Sequence, residues 1–254
     1  RKGSVMTEKP FKNEAEFLKA YDASAFDRPN FSVDTVIFTV SGGQLKTLIM
    51  KRENHPAQGQ WSLVGGFIDI HNDQELIETA KRKLEEKTGV KTPYLEQFCS
   101  FGSKTRDPRG WSVTTVYFAL IPSEGIELRA GQGATDIKWA AVTDGKVTEK
   151  LAFDHDHILA ECTERLKSKV LYTSLPVHLM PEEFTLAELQ KVYEIIMGAA
   201  MDHKSFRRRI LGANVLEETG KMKDTGRRPA MMYRRNENEN THFFVRNIEG
   251  VHRG

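Results

Sequence analysis

Between Gly65 and Val90 the chain reads GGFIDIHNDQELIETAKRKLEEKTGV, and its carboxylates are the first residues whose type and spacing could do chemistry. Glu75, Glu78, Glu85 and Glu86 lie along a helical pattern that Thr88-Gly89 ends. Hard cations such as Mg²⁺ take several oxygen ligands, and a row of carboxylates can supply them. Two lysines interrupt the row. Lys83 stands at i, i+3 from Glu86, so its ammonium falls near the place a metal would be held. It competes with a divalent cation there and could itself pair with Glu86 or with a phosphate.

A second candidate is the loop SKTRDPRGW, with Arg106 and Arg109 on either side of Asp107-Pro108. Guanidinium forks match phosphate oxygens, so such a loop suits a diphosphate. Taken alone, it also reads as a hairpin with solvated charges. A third is the basic end of the chain. From Ala199 to Arg235 there are ten Lys+Arg against four acids, an excess of six in a chain whose net charge is only +2. Charge segregated in this way fits a polyanion partner, or a well-solvated basic face.

Elements must position these groups. Leu76, Ile77, Ala80, Leu84 and Val90 give the Gly65–Val90 helix one buried face. Lys12 to Asp22 reads as a short helix with Phe11, Ala15 and Leu18 on its apolar side. Phe31 to Val40 and Leu45 to Lys51 alternate as strands around a Ser41-Gly42-Gly43-Gln44 turn. Tyr94 to Phe101 and Ser112 to Ile121 are further strands, and Asp154 to Lys169 a helix. Pro176 and Pro181 then punctuate the chain, which places a domain boundary near Tyr172. Thr185 with Glu188 forms a capping box before a helix buried on Leu186, Leu189, Val192, Tyr193 and Ile196. Asp202 caps a second helix, HKSFRRRILGA, which turns Phe206 and Ile210 inward. That leaves Lys204, Ser205, Arg207, Arg208 and Arg209 outward. Short strands at Leu216–Thr219 and Ala230–Arg234 flank a basic tip from Gly220 to Pro229, which holds Lys221, Lys223, Thr225, Arg227 and Arg228.

Helix, turn, basic helix and basic hairpin is the order of a winged helix-turn-helix, whose second helix enters the major groove while the hairpin tip meets the backbone or the minor groove. Those outward residues and the five of the wing tip, with Thr185 at the first helix start, are the candidate DNA contacts. An arginine reaching a guanine edge gives about 1–3 kcal/mol of discrimination, whereas one on a phosphate reads no sequence. The pattern does not say which arginine does which.

The length allows two modest domains. No apolar run approaches a membrane span, and the first residues lack a signal-peptide core. Arg1–Val5 reads as a segment added ahead of Met6. Cys99 and Cys162 have no ligand spacing, which makes a reducing cytoplasm the expectation. His155 and His157 are read as core or capping residues, and no metal is assigned to them.

The charged order of the Gly65–Gly89 stretch resembles the Nudix box, in which helical carboxylates hold divalent metal against a diphosphate. Arg82, Leu84, Glu86 and Gly89 match. Lys83 and Lys87 replace glutamates, and Gln74, beside Glu75, falls where the first glutamate belongs. The preceding LIMKRENHPAQGQWSLVGGF is similar to the family as well. The resemblance implies an α/β/α sandwich with a mixed sheet, followed here by a smaller α+β winged helix domain. YLEQFCSFGSKTRDPRGWSVTTVYFALIP, LAFDHDHIL and EFTLAELQKVYEIIMG with DHKSFRRRILGA are similar to one branch, the Nudix-related transcriptional regulators (NrtR family). Ser205 stands where that family has Asn.

Residues 1–172 then form a sensing domain that ends in a linking helix, 173–236 the DNA-binding domain and 237–254 a polar tail with an apolar patch at Phe243-Phe244-Val245. The resemblance implies a homodimeric repressor of NAD biosynthesis genes that binds operator DNA and releases it on binding ADP-ribose, with no metal, no other cofactor and no catalytic residue. It draws the ligand site from Arg52, Gly65, Gly66, Phe67, Arg82 and Glu86. Gln97, Phe101, Arg106, Asp107 and Arg109 complete it. The alternatives are an ADP-ribose pyrophosphatase using Mg²⁺ and a structural module that binds only protein.

Overall fold

The computed structural model describes residues 11–91, 94–226, 228–238 and 241–244. Arg1–Val5 and Arg227 lie outside them. The first helix, α1 (Glu14–Ala20), is shorter than the sequence pattern predicts and buries none of its residues. Its stripe finds no core among the described residues. Phe11, Phe17, Tyr21 and Phe26 instead stack on one another at centroid separations of 5.4–5.6 Å.

β1 (Asn30–Ser41) and β2 (Gln44–Arg52) form the expected hairpin. Gly42 and Gly43 at its tip have φ of +58° and +73°. That left-handed pair matches the twist of the strands and strains most residues other than Gly, Asn and Asp. β1 is the axis of a seven-stranded mixed sheet. It pairs with β2, antiparallel with β4 (Val64–Phe67) and parallel with β6 (Ser112–Leu120). β5 (Tyr94–Ser103) forms one edge beyond β6, while β3 (Trp61–Ser62) and β7 (Ala134–Ala141) both pair with β2. Alternation in the sequence does not reveal β3 and β4, which are too short to show a period.

Neighbouring side chains of β1 point to opposite faces, and both faces are covered. Ile37 meets Leu48, Val64 and Leu84 on the side of α2 (Leu76–Thr88). Val36 and Phe38 meet Phe118, Ile158, Leu159 and Leu166 on the side of α3 (His155–Val170). Burial of each large side chain contributes about 1.5–3 kcal/mol. α2 starts on a capping box between Glu75 and Glu78 and stops at Gly89, φ +72°.

The core beneath α3 continues without a break into the second half of the chain, through Leu175, Leu179, Leu189, Tyr193, Phe206 and Ile210. The joint near Tyr172 is therefore packed on both sides. Beyond it, α4 (Leu186–Met197) carries the predicted Thr185–Glu188 capping box and ends at left-handed Gly198. α5 (His203–Gly212) is capped by Asp202, which accepts from the Ser205 N–H at 2.8 Å. A three-stranded sheet follows in the order β8 (Phe184–Thr185), β10 (Ala230–Arg235), β9 (Leu216–Lys223). β9 outruns its expected end because Gly220, at φ +75°, sits in a bulge instead of terminating the strand. The tip of the wing is thus 224–229.

Residues 241–244 return to the joint. Thr173 and Phe243 form an antiparallel bridge, and the Phe244 N–H donates to the Tyr172 carbonyl at 2.7 Å. Phe244 lines a groove with Val170, Tyr193, Met197 and Phe206. The apolar patch of the tail is seated on its own chain as far as Phe244; Val245 lies outside the described residues.

Candidate functional site

A cavity of 470 Å³ opens where the ends of β1, β2 and β4 meet α2. Asp34 of β1 forms its floor, and it dictates Gly65 opposite. A Cβ on Gly65 would lie 2.1 Å from Asp34 Oδ1 and 2.6 Å from the Val33 carbonyl, so no side chain fits. Gly66 leaves room instead for the Lys83 stem, which passes 3.4 Å from its missing Cβ.

Two guanidinium–aromatic pairs line the walls. Arg52 lies 4.9 Å from the Phe153 ring centroid and donates from Nε to the Pro56 carbonyl at 2.9 Å. Arg109 lies 4.7 Å from the Phe67 ring and forks onto Asp107 at 3.0 and 2.7 Å. Burial works against the Asp107 charge, but the hydrogen bonds from Arg109 outweigh it and hold the carboxyl below its ordinary range. Arg106 points inward. Its Nε and Nη2 donate to the two carboxylate oxygens of Asp154 at 3.0 and 2.9 Å, with Asp34 3.7 Å away. Beside it, buried His155 accepts the Leu63 N–H on Nδ1 at 3.0 Å, which leaves the ring proton on Nε2, 3.8 Å from Asp34. Burial keeps that imidazole neutral.

The helix that should hold metal does not fit one. Lys83 pairs with Glu86 at 3.0 Å, and Arg82 also reaches Glu86 at 3.5 Å. Arg82 chiefly grips Asp73, whose carboxyl is held well below the usual range by that hydrogen bond. Glu75 and Glu78 are occupied in capping each other. Lys87 is only 3% exposed, and its ammonium donates to the carbonyls of Ala130 and Gln132. Burial pulls its pKa down. Among the described residues no three His, Cys, Asp or Glu side chains cluster as metal ligands would. The cavity lining instead carries three arginines and two lysines against two carboxylates, a charge balance that suits an anion.

Of the residues expected at a ligand site, Arg52, Gly65, Gly66, Phe67, Arg106, Asp107 and Arg109 line this cavity. Four lie elsewhere. Arg82 and Glu86 belong to the ion-pair cluster outside the lining. Gln97 is exposed on β5 and accepts from the Tyr117 hydroxyl at 3.3 Å, while Phe101 packs edge-on against His157 on the α3 face of the sheet. The cavity also takes in Asp34, Lys83, Lys87, Phe153 and His155. Asp34 had one legible signal, a lone acid inside an apolar strand, and Phe153 another, its place in LAFDH. Asn54, His55 and Gln132 come from loops and had none.

The basic end divides into free and engaged charges. Lys204, Ser205, Arg207 and Arg208 are exposed on α5. Arg209 turns away from that row and lies 4.8 Å from the Phe244 ring. Thr185 is buried, and its hydroxyl is taken up by Glu188. In the wing, Lys221 pairs with Glu183 at 2.6 Å and Lys223 with Glu188 at 2.5 Å. The Thr225 hydroxyl donates to the Arg228 carbonyl at 2.9 Å, which fixes the turn; Arg227 lies outside the described residues. No helix among the described residues is long and apolar enough to cross a membrane.

Known proteins share this order of two domains. The family described as NUDIX domain matches residues 30–162, and the NrtR DNA-binding winged helix domain matches residues 176–235. The chain is 46% identical over 224 residues, 88% of its length and 89% of the relative's, to the ADPR responsive transcriptional repressor NtrR of Acinetobacter baylyi. Shewanella oneidensis NrtR complexed with a 27mer DNA superposes with a TM-score of 0.78 at 42% identity, covering 86% of this chain and 99% of that one. The NUDIX domain of the same protein complexed with ADP ribose covers 61% of this chain and 99% of that one, with a TM-score of 0.56 and 44% identity. A shorter match, 34% identical over 116 residues, 46% of this chain and 64% of the relative, is to an ADP-ribose pyrophosphatase of Methanocaldococcus jannaschii. The chain belongs to the NrtR family, with a NUDIX domain followed by an NrtR winged helix domain.

Proposed function

We propose that this protein is a DNA-binding repressor of NAD-metabolism genes, that its NUDIX cavity binds ADP-ribose without hydrolysing it, and that the bound effector releases DNA. The observation that carries the reading is the inverted charge of the cavity. Nudix hydrolysis needs metal to neutralise the diphosphate and activate water. Here Lys83 and Lys87 bring positive charge to the cavity, and Glu86 is already paired. An anionic ligand is held by fixed cations and has no activated water beside it. Residues 1–172 then sense and 173–236 bind DNA, with α5 in the major groove and Lys204, Arg207 and Arg208 as its contacts. A homodimer matches two half-sites on an operator.

Calorimetry with ADP-ribose in the absence of metal tests the cavity, an AMP assay with Mg²⁺ or Mn²⁺ tests catalysis, and anisotropy with duplexes selected from a random pool tests DNA. The expected results are binding, no AMP, and release of duplex by ADP-ribose. Rapid AMP formation would overturn the sensor in favour of a pyrophosphatase. Silence in the first two assays would leave a structural module.

A further inference from the structure

Asp154 occupies the N-cap position of α3 and does not cap it. A capping Asp has an extended backbone and accepts an N–H from the first helical turn. Asp154 has φ −98° and ψ 17°, and its side chain makes no capping bond. Both of its oxygens are held by the Arg106 fork instead. The residue before it, Phe153, lines the effector cavity and is in the left-handed region at φ +59°, a conformation that costs a bulky residue energy and collects at switch sites. An uncapped helix start and a strained residue thus lie side by side, the second beneath the Arg52 guanidinium and the first in the fork of Arg106.

The Arg106 fork faces the cavity as well. With Asp34 fixed 3.7 Å away on the strand, Arg106 is a group for which two further anions compete, the carboxylate of Asp154 and whatever anion enters. We propose that Arg106 and Asp154 form an exchange switch: the diphosphate of the effector takes the fork, and the freed Asp154 turns to cap α3. Capping requires ψ of Asp154 to swing from 17° to the extended range, which re-aims α3 relative to Phe153. The far end of α3 places Val170 and Leu171 in the groove shared with Phe206 and Ile210 of α5. A reset at the first turn is thereby delivered to the helix that would enter DNA. Asp154 is a positioning residue in this scheme, and the scheme rests on the effector reading proposed above. It supplies what coupling needs, two discrete arrangements for which the ligand has different affinity.

The test uses the full chain and two variants that separate the roles of Asp154. Asp154→Asn remains a good cap but a poor fork partner, so it should adopt the effector-bound arrangement without ligand. ADP-ribose should bind it severalfold more tightly than the unaltered chain, DNA about tenfold more weakly, and DNA should no longer weaken ADP-ribose binding by more than about twofold. Asp154→Ala frees Arg106 but cannot cap. It should bind ADP-ribose more tightly yet keep its DNA affinity, and its thermal melt shows that it is folded. A purely structural role for Asp154 would weaken both ligands in both variants, and that result overturns the switch. So does an Asn variant whose coupling equals that of the unaltered chain. Failure of the unaltered chain to bind ADP-ribose overturns the effector reading and the switch with it.

Discussion

The two charged regions of this molecule are built on opposite rules. In the cavity the charges are locked: Arg106 on Asp154, Arg109 on Asp107 and Phe67, Lys83 on Glu86, Lys87 on two carbonyls. On α5, Lys204, Arg207 and Arg208 stand in solvent. A site for one small anion needs its donors fixed before the ligand arrives, because each hydrogen bond then forms without ordering a side chain. A surface for a polyanion gains mainly from counterion release and tolerates loose donors. The contrast predicts that the cavity is sensitive to shape and the helix to salt.

The largest effect should come from Gly65→Ala. Its Cβ meets backbone and a buried carboxylate, so urea denaturation should show a loss of about 3 kcal/mol or more, or no folded protein. An equivalent loss on the basic helix is not expected, and finding one would break the comparison. Removing both Arg207 and Arg208 should leave the melt unchanged. DNA affinity should fall about a hundredfold, and the salt slope should shrink by about 0.9 for each phosphate that is no longer neutralised, as read by anisotropy across a salt series. Lys83→Glu should weaken ADP-ribose binding about tenfold without metal, because a phosphate ligand meets a carboxylate there. If calorimetry shows unchanged affinity, Lys83 serves only Glu86.

The pH dependence of folding rests on two histidines, His155 buried in the cavity wall and His178 half-buried against Tyr94 at the joint. Burial holds His155 neutral, and burial followed by the nearby Arg235 charge brings His178 down to about 4. Below the ordinary histidine value near 6.5 the unfolded chain takes up protons that these rings refuse. Stability is therefore complete above about pH 6.5 and falls as the pH drops towards 4. Denaturation midpoints across that window should decline less steeply for His178→Gln. The smallest effect should be Thr185→Ala, which loses a buried cap worth about 1 kcal/mol, visible as a lower melting temperature, with DNA binding otherwise retained.

Local signals carried much of the fold. The Thr185–Glu188 box, the Gly42–Gly43 turn and the Asp202 cap act within four residues of themselves, and each stands where the pattern puts it. The site was legible where a residue type implied its partner, as for Lys83 and Glu86. It was not legible where partners are brought in by the fold. Arg106 and Asp154 are 48 residues apart, and nothing in SKTRDPRGW states that its first arginine is turned inward. Arg82 matched a motif yet serves a loop, because Asp73 is presented to it by a turn that no pattern predicted. α1 shows the converse, a helical period with no core beneath it among the described residues. Cutting the chain at Tyr172 looks harmless in sequence, yet it would bare Leu166 and Val170 of α3, which share one apolar cluster with Leu189 and Tyr193.

The paired lysines of the wing bear on how quickly a DNA-binding protein finds its site. A chromosome presents about 10⁶–10⁹ wrong sequences for every right one, and each unpaired lysine lengthens the stay on all of them. With Lys221 on Glu183 and Lys223 on Glu188, most encounters meet two wing lysines whose charge is already answered. Each glutamate offsets a charge that any phosphate backbone would attract, so the pairs lower the wing's share of sequence-independent binding and with it the time spent on the rest of the genome.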